Sequence, residues 1–183
     1  MLKTKKPAMK ALFVISLILL AAALVLSVIR LFESVGNAAV LTYIKLAFNI
    51  LAVLAGFVYV LGGYKKNDAV YYKLFMLLVC LEAIFDLVAT QADYTSPVSG
   101  ILRTVICVDL VILTFAKDLG KQTSIGLAAA VLGISLFNTV RMLVIYGTTF
   151  GIITGVVIGL ALALLVLLLV IGKYMDKAER GTK

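Results

Sequence analysis

Six long apolar stretches alternate with short polar connections along the chain. Each stretch is close to the roughly 20 residues that a helix, rising about 1.5 Å per residue, needs to cross about 30 Å of hydrocarbon. The pattern predicts an all-α, polytopic membrane bundle of six transmembrane helices, with residues 1–183 forming a single domain. The predicted spans are 8–29, 39–62, 69–90, 98–116, 124–146 and 150–174.

Composition agrees with insertion into a membrane. Hydrophobic residues make up 63% of the chain and charged residues 14%, and one soluble core of this size cannot bury that much apolar surface. The first apolar stretch is longer than the apolar part of a cleaved signal peptide, so we expect a retained helix, with cleavage as the alternative. The net charge of +8 lies mainly at the ends of the spans. This placement argues against a nucleic-acid partner and for a lipid environment.

The positions of Lys and Arg predict the orientation of the bundle. They cluster before the first span, between the second and third, between the fourth and fifth, and after the sixth, whereas the other side keeps only Arg30 and Lys45. Because positive residues favour the cytoplasmic side, both termini are predicted to be cytoplasmic. The short loops and the lack of an organelle signal lead us to expect a multi-pass protein of the cell membrane, in the cytoplasmic membrane of a bacterium.

Ionisable residues interrupt the middle of three predicted spans. Glu82 and Asp86 are four residues apart and therefore share one face of the third span. The offset of each residue from the centre of its span puts Asp86, Arg103 and Arg141 about 6 to 9 Å to the outer side of the midplane. The residues that we expect to form a binding site are Glu82, Asp86, Arg103, Asp109, Asn138 and Arg141.

The energetic cost of these charges predicts that they are paired. An Asp, Lys or Arg near the centre of a span costs about 2.5 to 3.5 kcal/mol on the insertion scale, and each Leu, Ile, Phe or Val returns about 0.3 to 0.6 kcal/mol. The fourth span carries both Arg103 and Asp109, so its insertion is marginal when it is alone. We predict that it inserts stably only beside the third and fifth spans, with Arg103 and Arg141 facing the carboxylates of the third.

Two interpretations of the charged cluster remain open. The charges form interhelix ion pairs that fix the helix order, or they line a polar cavity that opens to the outside, since intramembrane ionisable groups often line solute paths. Arg30, Lys45 and Asn49 would enlarge such a cavity and make it more positive. The second interpretation predicts an anionic or zwitterionic small solute, with Glu82 and Asp109 as candidate proton-coupling carboxylates.

The sixth span carries a small residue at every fourth position. Such a stripe allows a neighbouring backbone to approach closely, so we interpret it as a helix-packing face. The alternatives are a homo-oligomer or partner-protein interface through this last helix, and a pore-lining face. Ala52 and Gly56 in the second span give the same signal. The stripe consists of Gly151, Gly155, Gly159 and Ala163.

The residue types limit the chemistry that the chain can perform. It has no histidine and only two cysteines, Cys80 and Cys107, so histidine-based triads and zinc motifs cannot be built. The motifs GxSxG and HExxH are also missing from the sequence. We therefore expect no enzymatic activity, no bound metal and no cofactor.

The sequence predicts a solute-binding or transport subunit with a polar cavity toward the outer face. The alternative is a non-catalytic membrane partner that stabilises or regulates a larger membrane complex. Six spans, about this length and cytoplasmic termini are similar to the substrate-capturing subunits of energy-coupling-factor vitamin transporters, a similarity of architecture. Those subunits generally carry small residues spaced by four on their first helix, a pattern to which Ala23 and Ser27 are only a weak counterpart. The similarity is therefore one of architecture and does not assign the chain to that family.

Overall fold

The computed structural model describes residues 7–36, 40–62, 68–90, 97–116 and 119–180. Within these ranges the chain forms six α-helices and no β-strand, which confirms the predicted fold class. Several lysines on which the predicted orientation depends lie outside the described residues: Lys3, Lys5, Lys6, Lys65, Lys66, Lys117 and Lys183. The helices are α1 (Pro7–Ser34), α2 (Val40–Gly62), α3 (Asp68–Thr90), α4 (Pro97–Phe115), α5 (Lys121–Tyr146) and α6 (Phe150–Arg180).

The helix ends follow the predicted spans closely, with two exceptions. α1 continues to Ser34 and α6 to Arg180, beyond the predicted ends at residues 29 and 174. In both cases the helix is longer than its apolar run. Polar residues at a helix end can remain helical outside the hydrocarbon, so the end of the apolar run does not mark the end of the helix. The turn between α5 and α6 begins at Gly147, whose φ of 73° is accessible to glycine at little cost.

Five helices are long and apolar enough to cross a bilayer: α1, α2, α4, α5 and α6. The exception, α3, has the same 23 residues as α2 but is interrupted by Lys73, Glu82 and Asp86. It packs between α2 and α4, and the half-buried carboxylates of Glu82 and Asp86 line the cavity inside the bundle. The protein is therefore a membrane-embedded helical bundle, in which α3, the helix interrupted by charges, packs between two more apolar neighbours.

The six helices form a closed ring in chain order. Each packs against its neighbours in sequence, and α6 returns to pack against α1. α6 also contacts α2 and α3 across the ring, so it is the most central helix. The apolar core surrounds its second half, where Leu165 and Leu169 are completely buried together with Leu20, Val53 and Phe75.

Among the glycines that the structure describes, Gly56 of α2 has the least space around it. A Cβ atom at that position would lie 2.7 Å from Leu165 Cδ2 and 3.4 Å from Leu20 Cδ2 and Phe75 Cε2. These distances mean that α2 meets α1, α3 and α6 with no room for a side chain. The packing role that the sequence suggests for Ala52 and Gly56 agrees with this geometry, since Ala52 is also fully buried.

The interior of the ring changes character along its length. The half containing the core just described, here called the core half, is filled by apolar side chains. The opposite half, here called the cavity half, contains the end of α1, the start of α2, the end of α3 and the start of α4, followed by the end of α5 and the start of α6. It encloses a polar cavity and corresponds to the predicted outer side of the membrane.

Candidate functional site

The cavity has a volume of about 410 Å³ and is partly open. This volume lies within the range of about 300 to 1,000 Å³ that is usual for small-molecule sites. All six helices contribute to its wall, since α1 supplies Arg30, α2 supplies Lys45, α3 supplies Asp86, α4 supplies Arg103 and α5 supplies Asn138. α6 supplies wall residues between Gly151 and Val166. A closed ring of helices is needed to bring these side chains together.

Asp86 is the centre of a three-residue ion cluster in the cavity wall. Its Oδ1 forms an ion pair with Lys45 Nζ on α2, and its Oδ2 lies 3.2 Å from Arg103 Nη1 on α4. The three side chains keep only 18 to 23% of their surface exposed. Asp86 and Arg103 meet as the sequence predicts. The pairing with Lys45 was missed, although its depth in the second span could have indicated it.

Arg30 contributes a further positive charge at the cavity and links α1 to α6. Its Nη1 donates a hydrogen bond of 3.2 Å to the carbonyl oxygen of Gly151. This contact holds the guanidinium at the start of α6. A Cβ atom on Gly151 would lie 3.8 Å from Arg30 Nη2, an ordinary van der Waals contact.

Three buried polar atoms in the cavity wall have no hydrogen-bond partner among the described residues. They are Asn49 Oδ1, Asn138 Oδ1 and Arg103 Nη1. Arg103 Nη1 is near enough to Asp86 for electrostatic attraction, but its alignment does not make a hydrogen bond. Asn49 is only 2% exposed. Leaving such a group unsatisfied costs about 1 to 3 kcal/mol, so a ligand that satisfies these atoms would recover that free energy.

Glu82 lines the cavity one helical turn deeper than Asp86. The described residues give it no ion pair, in contrast to Asp86, which binds two cations. Its carboxylate is therefore available to accept hydrogen bonds from a ligand. The two acids share a helix face, but only Asp86 has ion-pair partners among the described residues.

Two of the six residues predicted to form the site do not line the cavity. Arg141 Nη1 donates a hydrogen bond to Ser99 Oγ of α4, so Arg141 joins α5 to α4 outside the cavity. Asp109 is partly buried on α4 beside Leu110, but neighbouring helical residues diverge by about 100°, and only Leu110 reaches the cavity. The other four predicted residues, Glu82, Asp86, Arg103 and Asn138, all line it.

The glycine stripe of α6 faces the cavity rather than another helix. Gly151, Gly155 and Gly159 are all part of the cavity wall. A Cβ atom on Gly155 or Gly159 would meet nothing within 4 Å. This geometry differs from the helix-packing interpretation, which needs a neighbouring backbone in contact, and it corresponds to the pore-lining alternative. The glycines keep this part of the cavity open.

The deeper part of the cavity wall is apolar. Aliphatic side chains from α3, α4, α5 and α6 line it, and the wall contains no aromatic residue among the described parts of the chain. The side chains nearest the core half are almost completely buried and belong to the filled apolar core, so they close the cavity at that end. The deepest aliphatic residues include Val79, Leu110, Val131, Leu162 and Val166.

The ring of helices and its charged cavity together define a membrane-embedded six-helix protein with an internal polar chamber. Comparisons with protein-family models, with curated proteins and with solved structures give no match for this chain.

Proposed function

We propose that this protein is a solute-binding or transport subunit that binds a small anionic or zwitterionic solute in the cavity. The observation that carries the proposal is the set of buried, unpartnered polar atoms that face a space of about 410 Å³. Native proteins rarely bury polar groups without a partner, and exceptions often mark functional sites. In the predicted orientation the cavity half is the outer half, so the solute would enter from outside the cell.

The charge of the cavity favours an anion or a zwitterion. Arg30, Lys45 and Arg103 face Glu82 and Asp86 in the wall, which leaves an excess of one positive charge. Asp86 is already bound by two cations. Arg30 and Arg103 can therefore donate to a carboxylate or phosphate, for which the guanidinium geometry is suited. Glu82 can accept from an ammonium or another donor on the same solute.

The structural interpretation of the charges accounts for only part of the site. A role in fixing helix order suits Asp86, because it joins α3 to both α2 and α4. It does not require the unpartnered amide oxygens of Asn49 and Asn138, nor the open space beside Gly155. The alternative of a non-catalytic partner protein depended on the glycine face of the last helix, and this face lines the cavity.

Ligand-induced stabilisation of the purified protein in nanodiscs tests the proposal. The probes are N-acetylglycine as an anion, alanine as a zwitterion and choline as a cation. A ligand at 100 times its Kd stabilises the folded state by about 2.7 kcal/mol, which shifts the unfolding midpoint measurably. We expect N-acetylglycine or alanine to raise the midpoint and choline to leave it unchanged.

Two variants separate binding from folding. Asn49→Leu removes an unpartnered polar atom, so it should leave the stability without ligand unchanged or raised while weakening solute binding at least tenfold. Arg141→Gln is the control, because it removes a hydrogen bond outside the cavity and should lower stability without changing solute affinity. The proposal is wrong if choline stabilises most, if none of the probes stabilises, or if Asn49→Leu binds like the wild type.

A further inference from the structure

Of the three acidic residues within the predicted spans, Asp109 alone lies outside the cavity wall. It is two residues, or about 3 Å, from the centre of the predicted fourth span. The structure gives it no hydrogen bond and no ion pair with any described residue. Its charge therefore takes no part in the cavity or in the ion cluster around Asp86.

The exposure of its neighbours shows which way Asp109 faces. Val105 is four residues before it and Ile112 three residues after it, so all three side chains share one face of α4. Val105 is 40% exposed and Ile112 is 37% exposed, whereas Arg103 and Leu110 face the cavity. Asp109 itself is half-buried. Its carboxylate therefore lies at the edge of the surface that α4 presents to lipid.

A carboxylate in this position is unfavourable in lipid alone. Charged residues within spans usually face the interior of a bundle and are paired there, as Asp86 is with Lys45 and Arg103. Asp109 carries the insertion cost of a charged residue near the centre of a span without a counter-ion among the described residues. A cation brought to this face by another molecule would reduce that cost.

The neighbouring surface of α5 leaves room for another helix. The hydrogen bond from Arg141 to Ser99 sets the antiparallel register of α4 and α5, which brings Gly133 to within about 3 Å of the level of Asp109. Gly133 and Gly126 are both exposed, and a Cβ atom on either would meet nothing within 4 Å. Glycines on an exposed face allow the backbone of a second transmembrane helix to approach closely.

We propose that this outward surface, formed by Val105, Asp109 and Ile112 of α4 with Gly126 and Gly133 of α5 and here called the docking face, binds a partner transmembrane helix. The partner helix carries one Lys or Arg near its centre. Its cation pairs with the carboxylate of Asp109, and its backbone packs against the two glycines. The docking face is separate from the cavity, so this interaction goes beyond solute binding.

The charge of the docking face selects a different protein rather than a second copy of this chain. In a symmetric dimer the same face would meet itself, which would bring two Asp109 carboxylates together. The cations that the structure describes in the cavity half already bind other groups within one copy, so a second copy does not offer one of them to this face. These cations are Arg30, Lys45, Arg103 and Arg141.

Single-span peptides test the docking face. Each probe is a helix of about 20 alternating Leu and Ala residues with lysines at both ends and Lys, Leu or Glu at its centre. The labelled full-length protein and labelled peptide are reconstituted in liposomes, and energy transfer is measured while the peptide-to-lipid ratio is varied. We expect the central-Lys peptide to bind about fivefold or more tightly than the central-Leu peptide. The central-Glu peptide should bind no better than the central-Leu peptide.

Two variants and one control assign the preference to the carboxylate. Asp109→Asn should abolish the preference for the central-Lys peptide. Val105→Asp with Asp109→Val moves the carboxylate along the same face by about one turn, so the best position of the lysine in the peptide should also move by about one turn. Ile112→Asn is the matched control, because it adds an amide to the same face and keeps the carboxylate, and it should retain the preference.

Unfolding by SDS shows whether Asp109 has a role inside the bundle. Because no described residue binds its carboxylate, Asp109→Asn should leave the unfolding midpoint unchanged or raise it. A lower midpoint would reveal an internal partner and overturn the proposal. Equal binding of the central-Lys and central-Leu peptides would also overturn it, as would an unchanged preference in Asp109→Asn. Self-association of the protein that Asp109→Asn removes would assign the docking face to a second copy and exclude the basic partner helix.

Discussion

Neutralising Asp86 should destabilise the bundle more than removing either cation that it binds. The carboxylate joins Lys45 on α2 to Arg103 on α4, so Asp86→Asn leaves two cations facing each other across one neutral amide. Lys45→Met or Arg103→Met instead leaves Asp86 with one remaining counter-ion. The order of the three variants therefore reports whether the carboxylate is shared.

The expected magnitudes follow from burial. Removing one partner of a fully buried ion pair costs about 3 to 5 kcal/mol. The side chains here keep about a fifth of their surface exposed, so we expect the lower end, about 3 kcal/mol, for Asp86→Asn. Each cation variant should cost about 1 to 2 kcal/mol, somewhat above the mean of about 0.6 kcal/mol for interhelical hydrogen bonds in membranes.

Unfolding in mixed micelles by titration with SDS measures these differences, and the buried thiols of Cys80 and Cys107 provide a labelling signal for loss of the fold. Glu82→Gln is the matched control, since it removes a carboxylate from the same helix face that has no ion pair among the described residues, and it should cost less than about 1 kcal/mol. The reasoning is refuted if Asp86→Asn is no more destabilising than Lys45→Met.

The same geometry predicts the outcome of a charge swap. In Asp86→Arg with Arg103→Asp, the new arginine would lie beside Lys45, so the swap should not restore stability. Adding Lys45→Glu should recover part of the loss, because the arginine at position 86 then has acidic neighbours on both sides. Full recovery by the double variant alone would show that Lys45 does not share the carboxylate.

Three further predictions use the same SDS titration or simple mapping. Gly56→Ala places a Cβ 2.7 Å from Leu165 Cδ2. The overpacking cost of about 1 to 3 kcal/mol should outweigh the gain in helix propensity of about 1 kcal/mol, so the variant should be less stable than the wild type. Gly133→Ala, where a Cβ meets nothing within 4 Å, should instead stabilise the folded state. Tyr174→Phe removes two hydrogen bonds of the tyrosine hydroxyl, one of 2.8 Å with Ser124 Oγ and one of 3.0 Å that it donates to the Leu119 carbonyl oxygen. The loss should lower the stability by about 1 to 2 kcal/mol and speed amide hydrogen exchange at the start of α5. The fourth helix alone should insert incompletely in glycosylation mapping of truncated chains, and full independent insertion would contradict the pairing argument.

The helices themselves could be predicted because membrane insertion leaves few choices. A chain that crosses a bilayer must satisfy its backbone internally, so each long apolar run has to be a helix of nearly fixed length. Short connections then force neighbouring helices to pack side by side. The contact between α6 and α1 that closes the ring could not be predicted in this way. The pattern of spans does not indicate which faces of helices distant in sequence meet.

Depth was predictable and rotation was not. Counting residues from the centre of a span placed Asp86 and Arg103 at one level, and they do meet. The same counting placed Arg141 at that level too, yet it hydrogen-bonds Ser99 outside the cavity. A shift of one residue turns a side chain by about 100° around the helix, and only the packing of neighbouring helices fixes that angle.

The small-residue stripes show why one pattern has two outcomes. Gly56 and Gly155 both lie in runs of small residues spaced by four. A glycine in such a run shows only that its own helix puts no side chain into the neighbouring space. Opposite Gly56 stand large apolar residues such as Leu165, which can close the gap without leaving polar groups unsatisfied. The wall of the cavity beside Gly155 also includes Glu82 and Asn138. Packing these polar side chains against a dry glycine backbone would cost free energy, because nothing there satisfies their hydrogen-bonding groups. A small-residue stripe that faces polar side chains at the same depth on other helices therefore indicates a cavity, and one that faces aliphatic side chains indicates a contact.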